Sequence, residues 1–228
     1  MSLDPAIVDA VLRDWQTAPI STRLRAALRL LETLTRRPEE LTPALLAELV
    51  RDGLDPESIE SAANVGFHFN LINRLADAFD FPLPDDAQKV KLARLLDRAG
   101  RLLGGKPPTP SFTRGADGVL RPVEVERGRN RLLSAPGVTD PALRRAVESH
   151  VAALWGATRD PVDVSEPLRP YLHKLARHAF KITDEDIDRL RAAGHGDEAI
   201  YEITFAGAFG AAVAGLERLF EALHAAPG

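Results

Sequence analysis

The feature that most constrains this chain is a repeat. Thr42, Leu49, Gly53, Glu57, Ile59, Gly66, Leu75 and Phe79 recur 141 residues later as Thr183, Leu190, Gly194, Glu198, Ile200, Gly207, Leu216 and Phe220. One offset held across caps, glycines and apolar positions reads as a tandem duplication. Upstream, Asp4-Pro5-Ala6 opens a run ending at Trp15, and Asp140-Pro141-Ala142 opens another ending at Trp155. Ile7 and Val11 then align with Val147 and Val151, and Leu28 and Leu31 with Leu172 and Leu175 after a small insertion. The expected organisation is a first helical repeat over 1–82, a connecting helix and extended linker over 83–138, and a second repeat over 139–228.

Each repeat reads as four helices. Thr42 and Thr183 are N-caps, and Asp184, Glu185 and Asp186 follow the second, where carboxylates suit a helix N-terminus. Gly53 and Gly194 are placed to stop those helices. Asp55-Pro56 and Asp197 start the next ones. No alternating run is long enough for a strand, so the fold class is all-α. Between the repeats, Val90, Leu92, Leu95, Leu96, Leu102 and Leu103 give a helix over Asp86 to Leu103 its apolar positions. The Pro- and Gly-rich stretch from Gly104 through about Gly137, carrying Arg114, Arg121, Arg127, Arg129 and Arg131, reads as an extended connector strapped over the surface.

The chain has no cysteine, which removes disulfides, thiolate metal sites and thiol nucleophiles together. A net charge of −4 gives no global basic field for nucleic acid. The N-terminus lacks a signal-peptide pattern, and the apolar stretch Ile203 to Leu216 is too short to span a bilayer, so no membrane partner and a cytoplasmic location are expected. His173 and His178 lie five apart and share no helix face, and no metal or cofactor motif is found.

Thr183 to Gly194 followed by Asp197-Glu198-Ala-Ile200 resembles the helix–Gly–helix core of the alkyl hydroperoxidase D (AhpD) / carboxymuconolactone decarboxylase family. Phe69-Asn70-Leu-Ile-Asn73-Arg74-Leu-Ala-Asp77 resembles a stretch of its peroxidase-related branch. The resemblance covers about two thirds of the chain and implies an AhpD-like helical fold and a homo-oligomer. In that family a Cys-x-x-Cys pair and a His precede the glycine on one helical face. Counting back from Gly194 puts those positions at Ala179, Ile182 and Asp186, and from Gly53 at Pro38, Leu41 and Leu45. Thiol-dependent peroxidase chemistry is therefore excluded.

On the helix from Pro56 to Phe79, the residues Asn70, Asn73 and Asp77, with Arg74 at the border, form one polar stripe on a helix expected to be buried nearly all round. These four are the candidate ligand-binding residues, either as a hydrogen-bonded packing network or as the floor of a pocket for a small anionic molecule. Asp77 is also placed to meet Arg218 across the repeat axis. The remaining candidates for acid–base catalysis are His68, His178 and Glu202. The functional expectation is a small-molecule-binding or structural member with a degenerate active site. The alternatives are a cysteine-independent enzyme using those groups and an interaction adaptor working through the 104–138 connector.

Overall fold

The computed structural model describes residues 4–82, 85, 112–116, 118–157 and 162–225. The helix read over 86–103 and the Gly/Pro run at 104–110 lie outside the described residues. Among the described residues the fold is all-α apart from one small hairpin. Helices α1 (Pro5–Asp14), α2 (Thr22–Arg36), α3 (Pro43–Arg51) and α4 (Pro56–Ala78) come first. Strands β1 (Phe112–Arg114) and β2 (Leu120–Pro122) pair antiparallel and lead into α5 (Val123–Ser134). Then come α6 (Pro141–Leu154), α7 (Leu168–Arg177), α8 (Asp184–Ala192) and α9 (Asp197–Ala225).

The same succession of elements occurs on either side of the hairpin. A 3-10 turn, Pro38–Glu40 or Ala179–Lys181, separates α2 from α3 and α7 from α8. Both α3 and α8 end on a left-handed glycine, Gly53 at φ +99° and Gly194 at φ +93°. In each, the amide two past the cap reaches back to close the last turn, Leu54 N–H to Leu49 O at 3.0 Å and His195 N–H to Leu190 O at 3.1 Å. A side chain at either glycine would be strained by that φ.

Helices α4 and α9 run antiparallel through the centre, since Phe67 meets Phe209 and Phe79 meets Tyr201. One core gathers Leu30, Leu34, Leu46, Leu49, Ile59 and Phe67 against Leu216 and Phe220 of α9. A second gathers Val147, Val151, Leu172, Leu175 and Leu190 against Ile203 and Ala211. The long α9 is apolar enough by length and composition to cross a membrane, but 78% of that window is covered by the rest of the protein. Its uniform apolarity is that of a central helix surrounded by neighbours.

The two central helices differ on one face, which corrects the expectation that α4 is buried nearly all round. On α9, Ala206 and Val213 are fully buried and Gly210 lies directly under the backbone of Glu148 in α6. The matching residues of α4, Val65, Phe69 and Ile72, are 48%, 62% and 56% exposed. Helix α1, which occupies the place of α6 in the first succession, has no buried residue. Phe69 stands where Gly210 lets two backbones approach, so the α6 type of contact has no room on α4.

The connector also differs from an extended strap where it is described. Val123–Ser134 is helical, and while Arg127 and Arg131 are exposed, Arg121 just before it and Arg129 within it are turned to acidic partners. Arg121 is fully buried, its Nε 2.6 Å from Glu217 Oε1 and its Nη1 3.0 Å from Glu126 Oε2. Arg129 holds Glu148 of α6 through two bonds of 3.0 and 3.2 Å. Periodicity of apolar residues does not reveal such a helix, because only Val125, Leu132 and Leu133 reach the core or its edge and ion pairs supply the rest of its hold on α6 and α9.

Candidate functional site

The polar stripe of α4 divides. Asn70 and Arg74 are buried, whereas Asn73 and Asp77 are exposed. The Asn70 amide nitrogen donates to Gly66 O at 2.9 Å and Thr35 Oγ1 at 3.2 Å, which uses both its hydrogens. Arg74 Nη1 donates to Asn70 O and Oδ1 at 2.9 and 3.1 Å, and Nη2 donates to Ala176 O at 3.2 Å. Its guanidinium lies 4.3 Å over the Trp155 ring. Burial pulls the Arg74 pKa down to about 10, which leaves the group charged at neutral pH. These bonds tie α4 to the end of α7 and leave the Asn70 amide no donor for a ligand. Arg218 does not meet Asp77. It reaches the carbonyls of Pro38 and Glu39 at 3.5 and 3.3 Å.

The three acid–base candidates sit apart. His68 is exposed on α4, with Nδ1 donating to Asn64 O at 2.8 Å. His178 is exposed at the end of α7, edge-on to Phe180. Glu202 accepts from the amides of Val138 and Thr139, both at 2.9 Å, from Arg144 Nη1 at 3.0 Å and from the Thr139 hydroxyl. Desolvation pushes the Glu202 carboxyl up, but the Thr139, Val138 and Arg144 donors outweigh it and hold the pKa at about 2. A carboxylate so held is ionised at any physiological pH and does not exchange protons near neutrality. It is a latch that fastens the turn before α6 to α9. Gly137 leaves it room, because a Cβ there would overlap both Glu202 and Arg144.

This latch gives a pH prediction. The folded pKa of about 2 lies below the ordinary 4.5, so Glu202 contributes stability above about pH 4.5 that is lost as pH falls towards 2. The contribution is about 2–3 kcal/mol. Urea midpoints measured from pH 7 to pH 3 should fall less steeply for Glu202→Gln than for the native chain, with the variant less stable at pH 7. Parallel curves would show that the latch carries no such term.

A large open cleft lies elsewhere, between the end of α4 and the starts of α8 and α9. Its volume is about 950 Å³. Phe79, Phe81, Phe180 and Tyr201 line it together with Asp77, Asp80, Asp184, Glu185, Asp197 and Arg191. None of His68, His178 and Glu202 lines it. Phe79 stacks on Phe81 at 6.1 Å and 24°, and on Tyr201 at 5.6 Å and 21°, so the three rings form a ladder. Phe81, Phe180 and Tyr201 are each more than half exposed. Exposed aromatics gathered in a concavity, rather than scattered, mark a surface built to be covered.

The matching place on the other side of the molecule is already covered. Phe220, the counterpart of Phe79, packs edge-on against Phe112 of the hairpin at 4.8 Å and 69°. Among the described residues no hairpin packs on Phe79. Sequence reading missed Phe79, Phe81 and Phe180 as site residues because each stands in an ordinary core-like setting, and it weighed Tyr201 only as an acid–base partner of Glu202. The only local signal was Tyr201, an aromatic where the first succession carries Glu60.

The span counted back from Gly194 falls on the rim of the cleft. Ala179 is buried in the 3-10 turn, Ile182 lines the cleft, and Asp186 is buried one turn into α8. The three do not share one helix, since an extended residue at Ile182 separates the 3-10 turn from α8. Asp186 accepts from Lys174 Nζ at 2.6 Å and from Thr183 N–H at 3.0 Å. Burial pushes its carboxyl up, but Lys174 and the Thr183 amide outweigh this and hold it below the usual range. Among the described residues no three His, Asp or Glu side chains converge as a metal site would require. No family model, curated protein or solved structure matches this chain.

Proposed function

We propose that this chain is a small-molecule-binding member of the AhpD / carboxymuconolactone decarboxylase type, without thiol peroxidase chemistry, and that it binds its ligand in the cleft between α4, α8 and α9. The observation that carries the reading is the cleft itself, about 950 Å³ with a ladder of exposed aromatic rings on one wall. Its location adds support, because one of the three positions counted back to the family's redox motif, Ile182, lines it together with the neighbouring Phe180 and Thr183 to Glu185. Binding is favoured over catalysis because the titratable candidates are dispersed and Glu202 is held ionised by four donors. The adaptor reading loses ground for the described part of the connector, since Arg121 and Arg129 clamp it to α9 and α6. A cytoplasmic location and self-association belong to the same reading.

Amide chemical shifts of the full chain, titrated with a library of small aromatic compounds, test it. Residues 79–81, 182–187 and 197–201 should move together for at least one class of compound, while Asn70 stays still. Perturbations confined to other surfaces would overturn the cleft assignment. With hydroperoxide and a dithiol reductant the protein should show no turnover above buffer, and robust turnover would overturn the non-thiol reading. Sedimentation of the full chain as a monomer at every concentration would remove self-association.

A further inference from the structure

We infer that the cleft between α4, α8 and α9 takes an organic cation with an apolar or aromatic body, such as a substituted ammonium. This rests on the cleft being a small-molecule site and assigns the class of ligand. Two features of the wall carry it, the exposed rings and an unbalanced negative pole.

The rings come first. Phe79 stacks on Phe81 and on Tyr201, each within 24° of parallel, and Phe180, 68% exposed, lines the same cleft. An aromatic face attracts a cation that lies within about 6 Å of its centre, and does so most strongly where water is excluded. The same faces also stack on a flat apolar body. Around the counterpart Phe220 that role is filled by Phe112, so this kind of surface accepts an aromatic group.

Charge selects the cation. Among the described residues the only basic side chain lining the cleft is Arg191, and it is already bound to Asp188 and Asp197 at 2.8 Å each. Asp77, Asp80, Asp184 and Glu185 line the same space without an ion pair among the described residues. Asp184 and Glu185 lie in the first turn of α8, where the helix dipole compensates a carboxylate. Asp77 and Asp80 are not compensated in this way. They stand in the last turn of α4 and just beyond it, at the negative end of the dipole, and that last turn holds no basic residue. Arg74, one turn earlier, feels the Asp77 charge, but its guanidinium is stacked over Trp155 and hydrogen-bonded to Asn70 and Ala176, and it does not line the cleft.

Asp80 is also the one described non-glycine residue with a left-handed backbone, at φ +46°. The amide of Phe81 closes the helix end to Ala76 O at 2.9 Å, the arrangement that normally places glycine at residue 80. An aspartate at this position is unfavourable both for its backbone and for its charge. A cation held between this carboxylate pole and the ring ladder would relieve the charge term.

The test uses the full chain, calorimetry and amide-shift mapping with three probes of one shape: benzyltrimethylammonium, benzyl alcohol and benzoate. The ammonium should bind at residues 79–81 and 197–201 at least roughly tenfold more tightly than the other two, and added salt should weaken it. Tyr201→Ala and Asp80→Asn should each lower its affinity severalfold. Asp80→Gly should do the same while melting higher than the native chain, because glycine suits the left-handed site. That opposite movement separates loss of a ligand contact from loss of fold. Benzoate or benzyl alcohol binding there as tightly as the ammonium would overturn the cation while leaving a small-molecule cleft. No binding by any of the three would overturn both.

Discussion

Arg121→Ala should destabilise the protein by about 3–5 kcal/mol, the largest loss expected from any single substitution in the connector. Arg121 is fully buried and joins Glu217 of α9 to Glu126 of α5. Removing the guanidinium leaves two buried carboxylates, 5% and 6% exposed, without the charge that joins them. The pair itself need not be a net gain over apolar packing, since taking three charges out of water is costly. For that reason the combined change Arg121→Met, Glu126→Leu and Glu217→Leu should recover most of the loss. Urea denaturation read by circular dichroism decides the matter. A single substitution costing under about 1 kcal/mol would mean that the network is open to water and holds nothing together.

Gly210→Ala should also destabilise, by about 1–3 kcal/mol, although alanine is the better helix former. A Cβ at Gly210 would overlap the carbonyl of Glu148, which belongs to the α6 backbone and cannot rotate away. Gly128 in α5 supplies the contrast, because a Cβ there meets nothing within 4 Å. Gly128→Ala should therefore stabilise by roughly 0.5–1 kcal/mol. Thermal melts of the two variants should move in opposite directions, and a Gly210→Ala chain as stable as the native one would show that α6 and α9 are not in close contact. Phe69 in place of a glycine is the same physics on α4, where Val65, Phe69 and Ile72 stay exposed.

Much of the frame was legible locally. Thr42 and Thr183, Asp55-Pro56, and Gly53 and Gly194 all mark helix ends that the structure has, because capping and left-handed stops depend on a few adjacent residues. The helix Val123–Ser134 was not legible, because its hold on the molecule is Arg121, Arg129 and their distant carboxylates rather than an apolar stripe. The site was less legible still. Asn70 and Arg74 share a helix face as read, yet their bonds run to Thr35 and Ala176, which no spacing within α4 can announce. Glu202 had the chemistry of a catalyst on paper. Its partners, Val138 and Thr139, come from a turn more than 60 residues away.

By itself the sequence determined that the chain is helical, that the same order of caps, stops and apolar positions occurs twice, and that no thiol chemistry is open to it. These follow from short-range sterics, from dipoles and from the absence of one element. Only the tertiary structure decided which of the two matching grooves is filled by Phe112 and which, beside Phe79, is an open cleft lined by carboxylates. It also decided that a glutamate of catalytic type would serve as a latch. The reason is the same in each case. Burial, desolvation and ring contacts are set by residues brought together from far along the chain, and equal local patterns meet unequal neighbours.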